Sequence, residues 1–421
     1  MKVNDQVCEI NDILKKEAPQ IFEMLSERGR MCFFPKKGIL AQAAQAKGKK
    51  INATIGVALD DSGEPLSMSV ITENSKLSPS ETVLYSPSYG QMALAERWLK
   101  RIKERNSVKE KTSLPVVTNA ITHGLSIVSS LFVNNGEKII TPDKIWGNYK
   151  LTFQHAELDM FPTFSEGKFN VEGLKQKLKQ NPGKQIVLLN FPNNPTGYSA
   201  TEEDADGIIN AIKESAEAGN KLVVICDDAY FGLFFENNIF RKSLFSELAD
   251  LHKNILAIKL DGITKEMYSW GLRVGFITYA FKGIKDKVAE VLEDKTSGSI
   301  RGGISNVCTH SQFLAIKALD NPKLKEDEEK NFKILRERYE EVKKILSDEK
   351  YKEYFEALPF NSGYFMCIEL NKDGEEVRKK LLKDYDTGVI AIGNLLRIAF
   401  SSVPKDKLRE LFENIYNACK G

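Results

Sequence analysis

The chain has 421 residues, enough for two or three domains. Hydrophobic content of 42% and charged content of 28% are ordinary for a soluble globular protein, and a net charge of +2 gives no reason to expect nucleic acid or an anionic membrane as partner. No apolar run reaches bilayer length, and the four histidines (His123, His155, His252, His310) lack metal-ligand spacing.

The start, MKVNDQVCEINDILKKEAPQ, carries acids among its apolar positions and lacks a signal-peptide core. Six dispersed cysteines (Cys8, Cys32, Cys226, Cys308, Cys367, Cys419) form no CxxC pair. They fit reduced, buried thiols in a cytoplasm rather than a disulfide framework. In chain order, residues 7–28 read as one amphipathic helix, and Phe33–Phe34 either cover a ligand site or, the favoured reading, pack against that helix. QMALAERWLKRIKER is helical. Then strands and helices alternate: LPVVTNA, THGLSIVSSLFVN, EKIITPD, VEGLKQKLKQ, KQIVLLNFP, TEEDADGIINAIKESAEA, KLVVICDDAY, NILAIKLDG and LRVGFITY. Such alternation predicts an α/β fold with a largely parallel sheet flanked by helices. A charged helix over roughly 311–348 follows, then SGYFMCIEL, a helix at 374–383, LLRIAFS and a last helix from about Lys405. The expected division is a large domain, 50–310, and a smaller α+β domain from both chain ends, 1–49 and 311–421.

Ligands of open α/β sheets gather at the carboxyl ends of the strands, and three unusual stretches fall there. NFPNNPTGYS (190–199) is a rigid turn with Asn194 at its centre, and its Asn-Pro bond is a candidate for the cis form. VVICDDAY ends a buried strand in two acids, with Tyr230 just beyond Asp227, and a buried acid needs a positive partner. DGITKEMYSWGLRVGF puts Lys265 at a strand end, where desolvation frees its amine for attack on a carbonyl, and Arg273 eight residues on. Each alone has a bland reading: a connecting loop, a helix-capping Asp, a surface cation. Together they are what pyridoxal 5'-phosphate (PLP) requires. A lysine holds its aldehyde, a buried carboxylate keeps its ring nitrogen protonated, and an arginine pairs with its phosphate. Asn194 and Tyr230 would bond the ring's phenolate oxygen. TNAITHGLS offers a helix N-terminus for the phosphate, with Thr122 as an extra hydroxyl.

NNPTG, DDAY and TKEMYSWGLRVG, in this order, resemble the class I/II aminotransferases of PLP fold type I, and the likeness covers roughly residues 50–405. Further segments resemble the aspartate aminotransferase-like members. The resemblance implies that Tyr85 in YSPSYG reaches the phosphate of a neighbouring subunit's cofactor, and that Trp146 in WGNY stacks on the pyridine ring. It makes Gly56 in NATIGVALDD a backbone contact to substrate, and Arg397 in LLRIAFS the grip on the substrate α-carboxylate. Arg301, four residues before Ser305–Asn306, matches the arginine that reads a distal carboxylate from the other subunit, or else belongs to an incidental Gly-rich loop. There are departures. Thr264 precedes the lysine, and Gly262 stands where many members have a phosphate-binding serine. Ala120–Ile121 replaces the usual Ser-Gly, and the stretch from Val389 to Arg397 is short.

The implied enzyme is a homodimer with shared sites. It moves an amino group from aspartate or glutamate, or from an aromatic amino acid, to a 2-oxo acid such as 2-oxoglutarate by a ping-pong cycle in which Lys265 carries the α-proton. The alternatives are a PLP-dependent lyase on the same scaffold and a non-catalytic PLP-binding sensor.

Overall fold

The computed structural model describes residues 4–36, 38–73 and 76–420. Its strands are β1 (Ile51–Asn52), β2 (Val116–Thr118), β3 (Lys138–Pro142), β4 (Glu157–Phe161), β5 (Phe164–Ser165), β6 (Lys168–Phe169), β7 (Lys184–Asn190), β8 (Lys221–Asp227), β9 (Ile255–Gly262) and β10 (Gly275–Ala280), then β11 (Phe355–Ala357), β12 (Met366–Leu370), β13 (Thr387–Gly388), β14 (Ile390–Ile392) and β15 (Leu395–Ile398). Among the described residues, seven strands form the main sheet in the order β2-β10-β9-β8-β7-β3-β4. All but one run the same way; β10 is antiparallel to both its neighbours. β8 shows why its sequence lacks alternation. Val223 and Ile225 join one core cluster, while Leu222, Val224 and Cys226 join another on the opposite face. Helices cover both faces, so every position from 222 to 226 is apolar.

A second sheet, β11-β12-β15-β14, shares the larger cluster through Met366, Ile368, Leu396 and Ile398. The chain's start reaches it too: β1 pairs in parallel with β13, and Ala399 N–H donates to Ala53 O at 2.8 Å. That seats residues 53–56 beside β15.

Several expectations need correction. The 7–28 helix is three: Asp5–Glu17, Pro19–Met24 and Glu27–Met31. Pro19 cannot donate to the ladder, so the first helix ends before it. Likewise the 311–348 helix is two, Thr309–Leu319 and Leu324–Leu346, broken around Pro322. Lys405–Lys407 is a 3-10 turn leading into the helix Leu408–Lys420. Strand β4 is an edge strand with only Phe161 buried, so no apolar run announces it. Phe34 is exposed rather than packed, and Cys8, Cys32 and Cys308 are exposed rather than buried.

The cis bond of the 190–199 turn is Phe191–Pro192, not Asn194–Pro195. Gly197 closes this turn at φ 73°, and its carbonyl accepts from Asn361 N at 3.0 Å and Ser362 N at 2.8 Å. A Cβ there would lie 1.9 Å from Phe365 O. Gly197→Ala should therefore lower stability by about 3 kcal/mol, read as an earlier urea midpoint at unchanged slope.

Candidate active site

Strand register assembles the site. One row across the sheet runs Asn190–Asp227–Leu260, and a second, just beyond it, runs Gly262–Gly275–Thr118. Because β10 is antiparallel, it begins where β9 ends. The connection between them, which carries Lys265 and Arg273, therefore starts and finishes at one edge. The helix Ala120–Phe132 starts at the same edge, with Ala120 at φ 62°. It approaches so closely that a Cβ on Gly275 would sit 2.7 Å from Ala120 C and 2.9 Å from Ile121 N. No described side chain caps this helix, so its first-turn N–H groups face outward as anion donors.

These ends enclose a cavity of about 260 Å³. Ten of the expected residues line it: Ala120, Ile121, Thr122, Trp146, Asn194, Asp227, Tyr230, Thr264, Lys265 and Arg273. Lys265 Nζ lies 5.0 Å from the Tyr230 ring centroid, and Asn194 Nδ2 donates to Tyr230 Oη at 3.5 Å. Burial drives the Lys265 amine down to about 8, with Arg273 adding to the effect and Asp227 opposing it. Burial raises the Asp227 carboxyl above its ordinary value, while the Tyr149 hydroxyl, Lys265 and the Ala229 N–H at 3.2 Å hold it down. Burial likewise raises the Tyr230 phenol.

Four expected residues do not line the cavity. Arg397 is buried beside it. Its Nη2 donates to Thr54 O at 3.0 Å, its guanidinium carbon lies 4.4 Å from the Phe365 ring centroid, and its charge acts on Tyr230. No described carboxylate pairs with it, and its Nε has no partner. Gly56 is exposed, two residues beyond Arg397's acceptor. Tyr85 is 91% exposed. Arg301 lies in the last turn of the helix Asp286–Gly303, not in a loop, and donates to Ser305 Oγ at 2.9 Å. The short stretch before Arg397 is a tight hairpin in which Gly393 and Asn394 alone join β14 to β15.

Two working residues escape the sequence reading. Tyr149 is buried and donates its hydroxyl to Asp227 Oδ2. It opens the short helix Tyr149–Thr152, its N–H donating to Trp146 O at 3.0 Å, and its place in the WGNY segment was its only sequence signal. The two rings meet edge-on at 5.6 Å. Asn190 donates to Asp227 O at 2.8 Å and accepts from Asn194 N at 2.8 Å, tying two strand ends to the Asn turn. The second acid, Asp228, points away from the cavity and pairs with the buried Lys259.

The family model for "Aminotransferase class I and II" matches residues 48–415. The chain belongs to this family. This aminotransferase-family chain is 27% identical to a probable aspartate/prephenate aminotransferase of Aquifex aeolicus, a match spanning 58% of each chain. It is 24% identical to a probable aspartate aminotransferase of Methanocaldococcus jannaschii, over 78% of this chain and 85% of that one. An aminotransferase structure from Anaerococcus prevotii shares the fold at TM-score 0.84 and 22% identity, over 94% of this chain and all (100%) of that one. The Pyrococcus horikoshii kynurenine aminotransferase, solved in complex with PMP, does so at TM-score 0.78 and 16% identity, over 95% of this chain and 98% of that one. The family is PLP-dependent, and the residues present fit that cofactor. A carboxylate and an amine face one cavity, an uncapped helix N-terminus opens onto it, and the buried Thr264 Oγ1 has no partner.

Two measurements check this electrostatic picture. In Tyr149→Phe, Asp227 loses a donor that favours its charged form, so its pKa rises further. The acid limb of PLP binding should then move to higher pH, and the loss should be about 2 kcal/mol. In the ligand-free protein, reductive methylation of Lys265 should reach half its maximal rate near pH 8, whereas ordinary lysines titrate above about 10.

Proposed function

We propose that this chain is a PLP-dependent aminotransferase that moves an amino group from an amino acid to a 2-oxo acid. The observation that carries the reading is Lys265 and Asp227 facing one cavity from adjacent strand ends, the amine held down to about 8. When bound, PLP supplies an electron sink for a carbanion at the substrate's Cα. Lys265 would hold the group covalently. Its neutral Nζ at the cavity would serve as the base that takes the substrate's α-proton and returns it. Asp227 would keep the ring nitrogen protonated; Tyr149 donates to its carboxylate, and Asn190 holds its backbone carbonyl. Asn194 and Tyr230 would bond the ring oxygen, and Trp146 would cover a ring face. Arg273, Thr264 and the amides of Ala120, Ile121 and Thr122 would hold the phosphate. Arg397, a buried guanidinium without a carboxylate, suits the substrate's α-carboxylate, with Gly56 beside it.

The names of the Aquifex and Methanocaldococcus relatives favour aspartate as donor, and that of the Pyrococcus structure keeps an aromatic donor in view. The distal-carboxylate reader would be Arg301 of a second copy in a homodimer, with that copy's Tyr85 on the phosphate. In support, both residues share one exposed face. Ser88 Oγ donates to Ser305 O at 2.8 Å, Thr309 Oγ1 to Leu84 O at 2.6 Å, and Val83, Leu84, Met92 and Ile304 are exposed there. We also divide the chain into a cofactor unit, 50–310, and a smaller unit from both ends.

The test is an absorption spectrum of the purified protein with PLP, followed by addition of aspartate, glutamate, tyrosine and alanine in turn. The lysine-bound band should form, disappear in Lys265→Ala, be converted by aspartate or glutamate, and return with 2-oxoglutarate. Arg301→Ala should then raise KM for aspartate and not for tyrosine. No band with added PLP overturns the cofactor reading. Conversion by aromatic or small amino acids alone overturns the dicarboxylate reading.

A further inference from the structure

Behind the sheet edge lies a cluster of charges that the proposed chemistry does not use. Lys259, 1% exposed, pairs with Asp228 and, at 3.3 Å, with Asp261. Asp261 Oδ1 accepts from Trp98 Nε1 at 2.9 Å. Glu266 accepts from Arg105 Nη1 at 2.8 Å and meets Arg101 Nη2 at 3.4 Å. Trp98, Arg101 and Arg105 all stand on the helix Met92–Asn106. The Phe231 ring adjoins both Lys259, 4.8 Å from its centroid, and Arg105, 5.5 Å from it.

The cluster is peculiar in what it borders. Asp228 directly follows Asp227, and Glu266 directly follows Lys265. Successive side chains in extended chain point to opposite faces. An anchor on Asp228 therefore fixes the direction in which Asp227 faces the cavity. Lys265 sits in the single turn Ile263–Glu266, so an anchor on Glu266 fixes the rotation of that turn. Burying such ions costs more than packing apolar residues of like volume, and their best-attested return is unique registry. We propose that Lys259, Asp261 and Glu266 form a positioning cluster that, through the helix Met92–Asn106, sets the spacing and orientation of Asp227 and Lys265. This inference rests on the function proposed above.

The experiment uses PLP-loaded wild type, Lys259→Met, Glu266→Gln and Lys259→Arg. For each, the visible circular dichroism per bound PLP, kcat, KM and thermal unfolding are recorded. Visible dichroism reports how the bound ring is held, which a loss of stability alone does not alter. Lys259→Met and Glu266→Gln should weaken that signal and lower kcat about a hundredfold, the cost of roughly 1 Å of misplacement, with KM little changed. Lys259→Arg, which keeps the charge, should restore most of both. Unchanged dichroism and kcat in variants that merely melt earlier overturn the proposal. Should Lys259→Met fail to fold, Glu266→Gln decides alone, because it keeps the volume and an oxygen for Arg105. Absence of a lysine-bound band in the wild type would sink the aminotransferase reading instead, so the two failures are distinguishable.

Discussion

A carboxylate at the end of a buried strand has to be compensated, and Asp227 is compensated in several ways at once. The Tyr149 hydroxyl and the Ala229 N–H donate to its oxygens, and the Lys265 charge acts on it across the cavity. Asn190 binds its backbone carbonyl. None of these is a fixed full ion pair, and burial keeps the carboxyl above its ordinary value, so a cation brought to it would stabilise its charged form. Asp228 differs in its partner, although burial raises its carboxyl as well. Its partner Lys259 is permanent, and Asp228 and Asp261 outweigh burial to hold that amine above its ordinary range. Extended backbone separates the two acids onto opposite faces, giving one to the cavity and one to the scaffold.

The same logic in reverse applies to Arg397. It is a buried cation whose described partners are a backbone carbonyl and an aromatic ring, with no acid among them. A structure that buries an under-compensated acid at the cavity and an under-compensated guanidinium beside it is complementary to a ligand bearing both a cationic ring and a carboxylate. Between them lies the Tyr230 ring, which meets Tyr364 at 5.3 Å and Phe365 at 5.8 Å and so belongs to the wall joining the two sheets. The β1–β13 pairing holds that wall closed from the chain's start, bringing Thr54 to Arg397.

Much of this was legible in the residues. A strand followed by NNPTG, a strand followed by DDAY, and a strand followed by a lysine and an arginine all carry their chemistry within a few residues of a strand end. Parallel topology sends such ends to one edge, so Asn194, Asp227, Tyr230, Lys265 and Arg273 converge as expected. The antiparallel entry of β10 was not readable, because a buried apolar run has no direction. Yet it brings Arg273 back to Lys265. Edge strand β4 was missed for want of an apolar run, and Pro19 and Pro322 divided helices whose periodicity read straight through them.

By itself, then, the sequence determined the alternating α/β architecture and the identity of the groups at the strand ends, since both are local properties of composition and spacing. Tertiary structure decided which groups answer which. Tyr149 reaches Asp227 from 78 residues away, Lys259 answers Asp228 across 31, and Thr54 meets Arg397 across 343. Buried charges must be balanced by whatever the fold brings within hydrogen-bonding reach, and sequence spacing carries no record of that distance.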